Sequence, residues 1–265
     1  MVTSFEFQAH PVGPEILSGL VVHPFSEAKP VLQAYRDFLD TAPDELTVWA
    51  VLRKAPPLPF LPGEVHGTEI LILAAMYTGD MSDGEDALAP LRAIGDPIAD
   101  VIGPQPFVGW QQAFDPLLAP GERNYWKTHD FAEMSDAMID TVLGYVETLP
   151  DPQCEVFFAQ LGGAQGRVSD DAMAYQGRNS AYLMNVHGRW SDPAQDEGGI
   201  AWCRDLWNDM AQFATGEAYV NFMTEDEGER LETAYGSSYQ RLVDLKNTYD
   251  PNNLFRLNQN IRPAS

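Results

Sequence analysis

Six consecutive apolar residues, Ile70-Leu-Ile-Leu-Ala-Ala75, decide the fold prediction. A strand that is apolar on both faces is buried on both, so this run is predicted to lie in the centre of a β-sheet. The segment before it, residues 45–53, alternates instead, so that one side of a strand there is wholly apolar. That side carries Leu46, Val48, Ala50 and Leu52. Together the two segments predict a sheet with one face packed on a core.

Outward from this pair, strand and helix signals interleave without the strict βαβ repeat that a parallel sheet requires. Ser26 is predicted to cap a helix, whose apolar face holds Val31, Leu32, Tyr35, Phe38 and Leu39. Further strands are predicted over residues 17–25, 155–161, 180–190 and 218–222, and further helices over 83–94, 134–145, 196–213 and 239–249. The predicted fold class is α+β, an antiparallel sheet covered by helices on one side.

The first residues form a separate signal. Residues 2–10 alternate like a strand that stops at Pro11. Domains usually begin with a few loose residues, whereas this strand would begin directly after the initiator Met. The sequence is therefore expected to be cut from a longer one.

The charge of the chain excludes several classes of function. Its 265 residues include 39 acidic and 16 basic side chains, a net charge of −23. A negative surface without a Lys/Arg cluster repels phosphate, so no nucleic-acid partner is expected. No apolar run approaches the roughly 20 residues of a membrane helix, and no secretory signal is visible. These observations favour a cytoplasmic protein without a membrane partner.

The sequence predicts no metal site. Its histidines are scattered singly, with none paired at i and i+4, and its two cysteines are too few for a zinc site of their own. Cys154 and Cys203 are predicted to be buried free thiols. No G-x-S-x-G motif marks a hydrolase nucleophile, and the glycines of residues 162–166 do not fit a phosphate loop.

The last fifty residues carry the densest chemical signal. Residues 250–253, Asp-Pro-Asn-Asn, end a helix in a turn, because Pro251 cannot continue it and Asx side chains close such turns locally. Phe255 and Leu257 are expected to anchor the next segment, which leaves the amides of residues 258–260 together. Amides both donate and accept, so they suit a neutral ring edge or a ribityl chain. A polar surface tail that caps a domain is the equal alternative.

The whole tail, YDPNNLFRLNQNIRP at residues 249–263, resembles the C-terminal signature of the berberine bridge enzyme-like FAD-linked oxidoreductases. That family belongs to the p-cresol methylhydroxylase/vanillyl-alcohol oxidase superfamily. AYVNF at 218–222 and AYG at 234–236 precede the tail in the same order as in the family. Upstream, RNYWK at 123–127 resembles the family's R-x-Y-W-K element, and EVFFAQLGGAQGR at 155–167 also fits. The resemblance covers essentially the whole chain.

The resemblance implies FAD chemistry. An alcohol-like, amine or sugar substrate would give a hydride to flavin N5, while a tyrosine whose pKa is lowered takes a proton. Tyr235 and Tyr219 are implied as catalytic residues, and Asn221, Asn258 and Asn260 as flavin contacts. Each has a structural alternative: a buried aromatic at a helix start for Tyr235, sheet packing for Tyr219 and Asn221, and a surface tail for the other two.

Three further residues are implied on the substrate side. In the strand predicted over residues 180–190, a period of two puts Asn185 and His187 on one face, and the resemblance makes Asn185 a candidate for orienting substrate. His187 itself is expected to be a surface residue. Tyr125 and Lys127 are implied at the substrate entrance, and a solvated lysine on a loop is the alternative.

Members of the family begin with an FAD-binding domain, and this sequence shows none of it. Residues 1–215 are predicted to be a substrate-binding α+β domain, with residues 1–10 the last strand of the otherwise absent FAD domain. Residues 216–265 are predicted to be the berberine-like C-terminal segment. The predicted partners are a small-molecule substrate and the FAD-binding domain, in cis or in trans. Competing functions are a free-standing binding module without flavin chemistry and one half of a split flavoenzyme.

Overall fold

Eight strands form one antiparallel sheet in the computed structural model, which describes residues 3–264. The strands lie in the order β4-β1-β3-β2-β7-β8-β6, and the short β5 pairs with β1 beside β4. Their bounds are β1 Glu15–Pro24, β2 Leu46–Lys54, β3 Glu69–Tyr77, β4 Ala99–Asp100, β5 Gly103–Pro106, β6 Arg123–Phe131, β7 Glu155–Gln160 and β8 Tyr182–Trp190.

Helices cover one face of this sheet. The α-helices of the described residues are α1 Ala28–Leu39, α2 Met81–Arg92, α3 Phe107–Gln111, α4 Asp136–Val146, α5 Asp196–Met210, α6 Leu231–Tyr235 and α7 Tyr239–Tyr249. Four of them, α1, α2, α4 and α5, bury apolar side chains in the main core against the sheet. Within residues 3–264, none combines the length and apolarity needed to cross a bilayer. The predicted α+β class, with helices on one side of the sheet, is confirmed.

The central strand is the one that the apolar run predicts. β3 lies between β1 and β2, so residues 70–75 have a hydrogen-bonded neighbour on each side. Leu71 and Leu73 point into the main core, whereas Ile70 and Ile72 belong to a smaller cluster on the other face. The alternating residues of β2 are at most 2% exposed on the core side. Burial on both faces therefore explains why residues 70–75 carry no polar side chain.

The other face of the sheet is called the open face, and its most exposed members include Trp49 and Trp126. A loop over residues 55–68 covers one part of it, at β1 and β3, and packs Leu61 against Ile70. The loop is closed by two backbone hydrogen bonds, from the Ala55 amide to the Thr68 carbonyl and from the Gly67 amide to the Ala55 carbonyl. Beyond this loop, Trp49 on β2 and Trp126 on β6 are exposed on the open face, whereas its β8 residues are buried.

Two sequence predictions at the start of the chain are wrong. Residues 3–10 form no strand, and Phe5 and Phe7 are 74% and 81% exposed; Met1 and Val2 lie outside the described residues. A strand needs a hydrogen-bonded neighbour, and no described strand pairs with this segment. Ser26 does not cap α1 either. It lies inside a 3-10 turn that leads into the helix, so Glu27 occupies the position before α1.

Two further differences concern the second half of the chain. The strand predicted over residues 218–222 is wrong, because the backbone there closes on itself in a 3-10 turn, with the Phe222 amide donating to the Tyr219 carbonyl (2.9 Å). The sequence also missed β6. Its nine residues carry polar side chains on both faces, so the alternation that normally marks a strand is hidden.

A pair of adjacent glycines in α5 allows a test of the packing. A Cβ at Gly199 would lie 2.5 Å from the Trp190 ring, whereas a Cβ at Gly198 meets nothing within 4 Å. We expect Gly199→Ala to lower the free energy of unfolding by about 1–3 kcal/mol through overpacking. Gly198→Ala should raise it by about 0.5–1 kcal/mol, through helix propensity alone. Urea denaturation of both variants measures these changes. Equal denaturation midpoints would contradict the close contact between Gly199 and the Trp190 ring.

Candidate functional site

Asn185 lies on the open face of β8, as the strand period predicts. Its neighbours across the strands are Thr128 on β6 and Phe157 on β7. Asn185 is only 4% exposed, and its Oδ1 has no hydrogen-bond partner among the described residues. His187, two residues on, is 8% exposed and is therefore buried, not the surface residue that the sequence predicted. An unpaired buried acceptor is costly, so this position calls for a donor.

Tyr125 and Lys127 lie on the opposite face from Asn185. Because β6 pairs Thr128 with Asn185, the alternate residues Tyr125 and Lys127 point to the helix side. The sequence grouped all three on the substrate side, and the structure does not bring them together. The alternative of a solvated loop lysine is wrong as well, because Lys127 is part of a strand and is 3% exposed.

Lys127 instead binds the C-terminal segment. Its Nζ donates to Thr224 Oγ1 at 2.8 Å and to Asp226 Oδ1 at 2.7 Å, and it lies 3.1 Å from Glu227 Oε1. Glu227 is also 3% exposed and pairs with Arg230. The lysine cluster is the name used here for Lys127, Thr224, Asp226, Glu227 and Arg230. They join β6 to a 3-10 segment that follows the predicted catalytic Tyr219 by a few residues.

The Trp207 ring borders both cations of the lysine cluster. The Lys127 ammonium lies 5.5 Å from the centre of the Trp207 ring, and the Arg230 guanidinium lies 5.3 Å from it. Burial lowers the pKa of Lys127, but its hydrogen bonds to Asp226 and Glu227 outweigh that effect and raise it. Burial likewise raises the pKa of Asp226, but hydrogen bonds from Lys127 and its other donors hold it well below its ordinary value. The cluster is therefore charged across the physiological pH range.

A second polar cluster lies on the open face at the end of β6. Asp130 is 3% exposed, and its Oδ1 has no partner among the described residues. A Cβ at Gly177 would lie 3.1 Å from Asp130 Oδ2 and 3.8 Å from Glu217 Oε2, so both carboxylates border this glycine. Burial raises the pKa of Asp130 to about 6, and the charge of Glu217 adds to the rise. Ser180 Oγ donates to Glu217 at 3.0 Å.

The predicted catalytic and flavin-contacting residues lie partly together. Asn221 Nδ2 donates to the Tyr219 hydroxyl at 2.8 Å, although not through the strand alternation that the sequence suggested. Tyr235 packs in a small apolar cluster with Ala218, Met223 and Ile261 of the tail. Because residues 218–223, α6 and the tail share this cluster, Tyr219, Asn221 and Tyr235 belong to one small unit.

The tail itself differs from the prediction. Phe255 and Leu257 do not anchor it, since they are 63% and 84% exposed. Gln259 does so instead, by donating to the Met223 carbonyl at 2.8 Å. Asn258 is exposed, whereas the Asn260 amide, oriented to suit its neighbours, donates to the Asn253 side chain at 3.1 Å. Of the two predicted flavin contacts in the tail, only Asn258 presents its amide outward.

Tyr235 also differs from the expected chemistry of a proton acceptor. The resemblance implied a tyrosine with a lowered pKa, but burial raises the pKa of Tyr235. At neutral pH this phenol therefore keeps its proton and can donate a hydrogen bond.

Several residues of the site escaped the sequence analysis. Asp130, Glu217 and Glu227 do not stand out in sequence among 39 acidic residues. The burial of Asp130 and Glu227, and the position of Glu217 beside Asp130, are visible only in the structure. Both cysteines are buried and free, as predicted. Among residues 3–264, no group of three or more His, Cys, Asp or Glu side chains is arranged to hold a metal ion.

Comparison with known proteins identifies relatives of the whole described fold. Residues 218–262 match the family profile "Berberine and berberine like". An uncharacterized FAD-linked oxidoreductase of Bacillus subtilis is 25% identical over 99% of this chain and 56% of its own length. An FAD-linked oxidoreductase of Dictyostelium discoideum is 26% identical over 99% of this chain and 55% of its own length. The chain is related to the berberine bridge enzyme-like FAD-linked oxidoreductases.

Solved structures give the same fold. Berberine bridge enzyme-like protein 1 of Physcomitrella patens superposes with a TM-score of 0.79 at 18% identity, over 97% of this chain and 56% of that one. 6-Hydroxy-D-nicotine oxidase of Arthrobacter nicotinovorans superposes with a TM-score of 0.76 at 18% identity, over 96% of this chain and 56% of that one. The resemblance read from the motifs is therefore confirmed. The chain spans about half the length of the curated relatives it matches.

Proposed function

We propose that this chain supplies the substrate-binding part and the C-terminal segment of an FAD-dependent oxidoreductase. The observation that carries the proposal is the small unit in which Tyr219, Asn221 and Tyr235 meet the tail. It unites the motifs on which the family resemblance rests, and the family profile matches these same residues. The division into residues 1–215 and 216–265 remains a prediction.

The side chains of this unit fit a flavin. The exposed Asn258 amide and the Asn221–Tyr219 pair offer neutral donors and acceptors, which suit a ring edge or a ribityl chain. When bound, FAD supplies at N5 the two-electron acceptor for the hydride of an alcohol-like, amine or sugar substrate. We expect most of its remaining contacts, and any covalent attachment, on a separate FAD-binding domain.

The two tyrosines of this unit have different proposed roles, proton acceptance by Tyr219 and hydrogen-bond donation by Tyr235. Asn221 donates to the Tyr219 oxygen and so fixes the position of the phenol ring. The phenolate form of Tyr219 is the proposed proton acceptor from the substrate. Tyr235, whose pKa is raised by burial, is the proposed donor that orients the reacting group. Asn185 has an unpaired oxygen and orients a substrate hydroxyl or amine from the sheet side.

The proposed partner is the FAD-binding domain, in cis or in trans. The loop after α7 exposes three large apolar side chains, Leu254 (75%), Phe255 (63%) and Leu257 (84%). Hydrogen bonds nevertheless hold its backbone in place. Asp250 accepts the backbone amides of Leu254 and Phe255, and Lys246 donates to Asp250 at 2.6 Å. An ordered loop that presents three large apolar side chains outward is typical of a surface that another domain covers.

Flavin binding by the chain tests the proposal. We expect FAD fluorescence to be quenched saturably but weakly on titration with protein, because only part of the contacts lie on this chain. Asn258→Ala should weaken the quenching, and Asn208→Ala, an exposed amide on α5, should leave it unchanged. Unaltered FAD fluorescence at every protein concentration, with a colourless protein after gel filtration, would instead favour a binding module without flavin chemistry.

A further inference from the structure

Oxygen atoms from three separate segments of the chain meet beside Gly177. A Cβ at Gly177 would lie 3.1 Å from Asp130 Oδ2 and 3.6 Å from the Tyr175 hydroxyl oxygen. The same position lies 3.8 Å from Glu217 Oε2, and Ser180 Oγ donates to that carboxylate at 3.0 Å. The segments are the end of β6, the loop before β8 and the start of the C-terminal segment. The small space that these oxygens border is called the Gly177 pocket.

The Asp130 carboxylate in this pocket is buried without a close partner of opposite charge. Asp130 is 3% exposed, and its Oδ1 has no hydrogen-bond partner among residues 3–264. Arg230, whose positive charge reaches Asp130, pairs with Glu227. Arg178 is 6% exposed and donates instead to a backbone carbonyl of its own loop at 2.8 Å. A buried carboxylate in this state is costly unless a ligand compensates for its charge.

The groups that line the Gly177 pocket favour a cation as that ligand. Burial raises the pKa of Asp130, and the charge of Glu217 raises it further, because neighbouring carboxylates repel each other. A cation bound between the two carboxylates would remove this repulsion. The remaining groups are the hydroxyls of Tyr175 and Ser180, so every side chain at the pocket offers an oxygen atom. Oxygen atoms are the ligands that hard cations take.

The geometry of the pocket favours a monovalent cation of the size of Na⁺ or K⁺. Mg²⁺ requires nearly octahedral oxygens at about 2.0–2.1 Å, and Ca²⁺ takes about six to eight oxygens at about 2.3–2.6 Å. The Gly177 pocket instead offers three side-chain oxygens at 3.1–3.8 Å from one point. Within the described part of the chain, no third carboxylate joins Asp130 and Glu217 to complete a metal-binding group.

We propose that the Gly177 pocket binds a monovalent alkali cation between the carboxylates of Asp130 and Glu217. Bound there, the ion joins β6 to the loop before β8 and to the C-terminal segment. The Tyr175 ring of that loop meets the Tyr219 ring edge to face at 6.1 Å, so the ion also supports the unit that contains Tyr219. No sequence motif marks the site, because its residues lie on three segments. The inference goes beyond the proposed flavin role and does not depend on it.

Thermal unfolding of the chain in different chloride salts at neutral pH tests the proposal. KCl, NaCl and tetramethylammonium chloride, at an equal ionic strength of about 0.2 M, screen the net charge of −23 alike. Tetramethylammonium is too large for the pocket, and the raised pKa of Asp130 refers to this salt. We expect Tm to be higher in KCl or NaCl by about 2–6 °C, as a Kd of about 10–50 mM implies.

Variants locate this difference in Tm between the salts. Asp130→Asn should abolish it, and Glu217→Gln should at least halve it. Asp86→Asn, an exposed carboxylate on α2, is the matched control and should retain it in full. Because each variant is compared with itself in two salts, a change in its basal stability does not affect the result. Sodium NMR of the parent chain is a second measurement, in which K⁺ should reverse the line broadening of Na⁺.

Three outcomes would overturn the site. The first is an equal Tm of the parent chain in alkali and tetramethylammonium salts, and the second is an alkali-specific gain that Asp130→Asn retains. The third is stabilisation by millimolar CaCl₂ but by neither alkali salt, which would indicate a divalent site. None of these measurements needs flavin. Loss of the alkali effect with intact FAD quenching rejects only the cation site, and the reverse result rejects only the flavin role.

Discussion

Lys127→Met is expected to lower the free energy of unfolding by about 3–5 kcal/mol, the usual cost of removing one partner of a buried ion pair. The ammonium is 3% exposed and has three oxygen partners on the C-terminal segment. Methionine fills much of the volume but leaves the buried Glu227 with Arg230 as its remaining cationic partner. The loss of stability comes from the Glu227 carboxylate that has lost its lysine partner, and not from a cavity. Chemical denaturation at neutral pH measures it.

Lys29→Met is the matched control for this prediction. Lys29 also pairs with a carboxylate, Asp140, but the two side chains are 45% and 56% exposed. Exposed pairs contribute about 0–1 kcal/mol, so the control should change little. The double variant Lys127→Met/Glu227→Gln should recover part of the loss, because it removes the unpaired charge as well. If the Lys127 and Lys29 variants unfold at the same denaturant concentration, the lysine cluster does not stabilise the fold.

The same variant links stability to the proposed site. The lysine cluster begins at Thr224, directly after the unit that contains Tyr219 and Asn221. Releasing residues 224–227 from β6 would free the end of that unit. The cluster therefore connects the sheet to the residues that are proposed to contact flavin, although it lies on the opposite face from Asn185.

The sequence predicted the parts of the fold that depend on apolar pattern. The central β3, the half-buried β2 and α7 at Tyr239–Tyr249 follow from uninterrupted or periodic apolar residues. It failed where polar side chains are buried by tertiary contacts. β6 was missed because Lys127, His129 and Asp130 look solvated in sequence, and only the packing of α5 and the C-terminal segment buries them.

The candidate site was predictable to a similar extent. Short motifs indicated the family and brought forward Tyr219, Asn221 and Tyr235, which do meet in one unit. Their local conformation was not predictable, because a 3-10 turn and a strand of five residues have similar composition. The exposure of Phe255 and Leu257 was not predictable either. An apolar residue in a sequence indicates burial, but it does not indicate whether the same chain or another domain buries it.

His129 and Asp130, adjacent residues of β6, are expected to change the free energy of unfolding in opposite directions as the pH changes. Burial lowers the pKa of His129 to about 4, while its Nε2 lies 2.9 Å from the Trp207 carbonyl oxygen. Between pH 6.5 and 4 unfolding of the chain takes up a proton at this imidazole, so acid destabilises the fold. Burial raises the pKa of Asp130 from 3.8 to about 6, so unfolding releases a proton there between pH 4 and 6. A rise in pH across that range then destabilises the fold.

Asp130→Asn should separate the two effects. Each shift spans roughly two pH units, or about 3 kcal/mol, and the two nearly cancel in the parent chain. The variant keeps only the histidine effect, so its free energy of unfolding should rise by about 3 kcal/mol from pH 4 to 7. At pH 7 it should exceed that of the parent, because an uncharged amide replaces a carboxylate that is buried near Glu217. Urea denaturation at pH 4.5, 5.5, 6.5 and 7.5 measures the slope.

Asp86→Asn, an exposed carboxylate on α2, is the control and should follow the parent at every pH. If Asp130→Asn also runs parallel to the parent, the carboxyl group titrates alike in the folded and unfolded states. In that case a hydrogen-bond donor outside the described contacts satisfies the unpaired Asp130 oxygen. If the variant is instead less stable at pH 7, the ionised carboxylate is needed by Arg230 or the nearby backbone, and burial is not the dominant influence on Asp130.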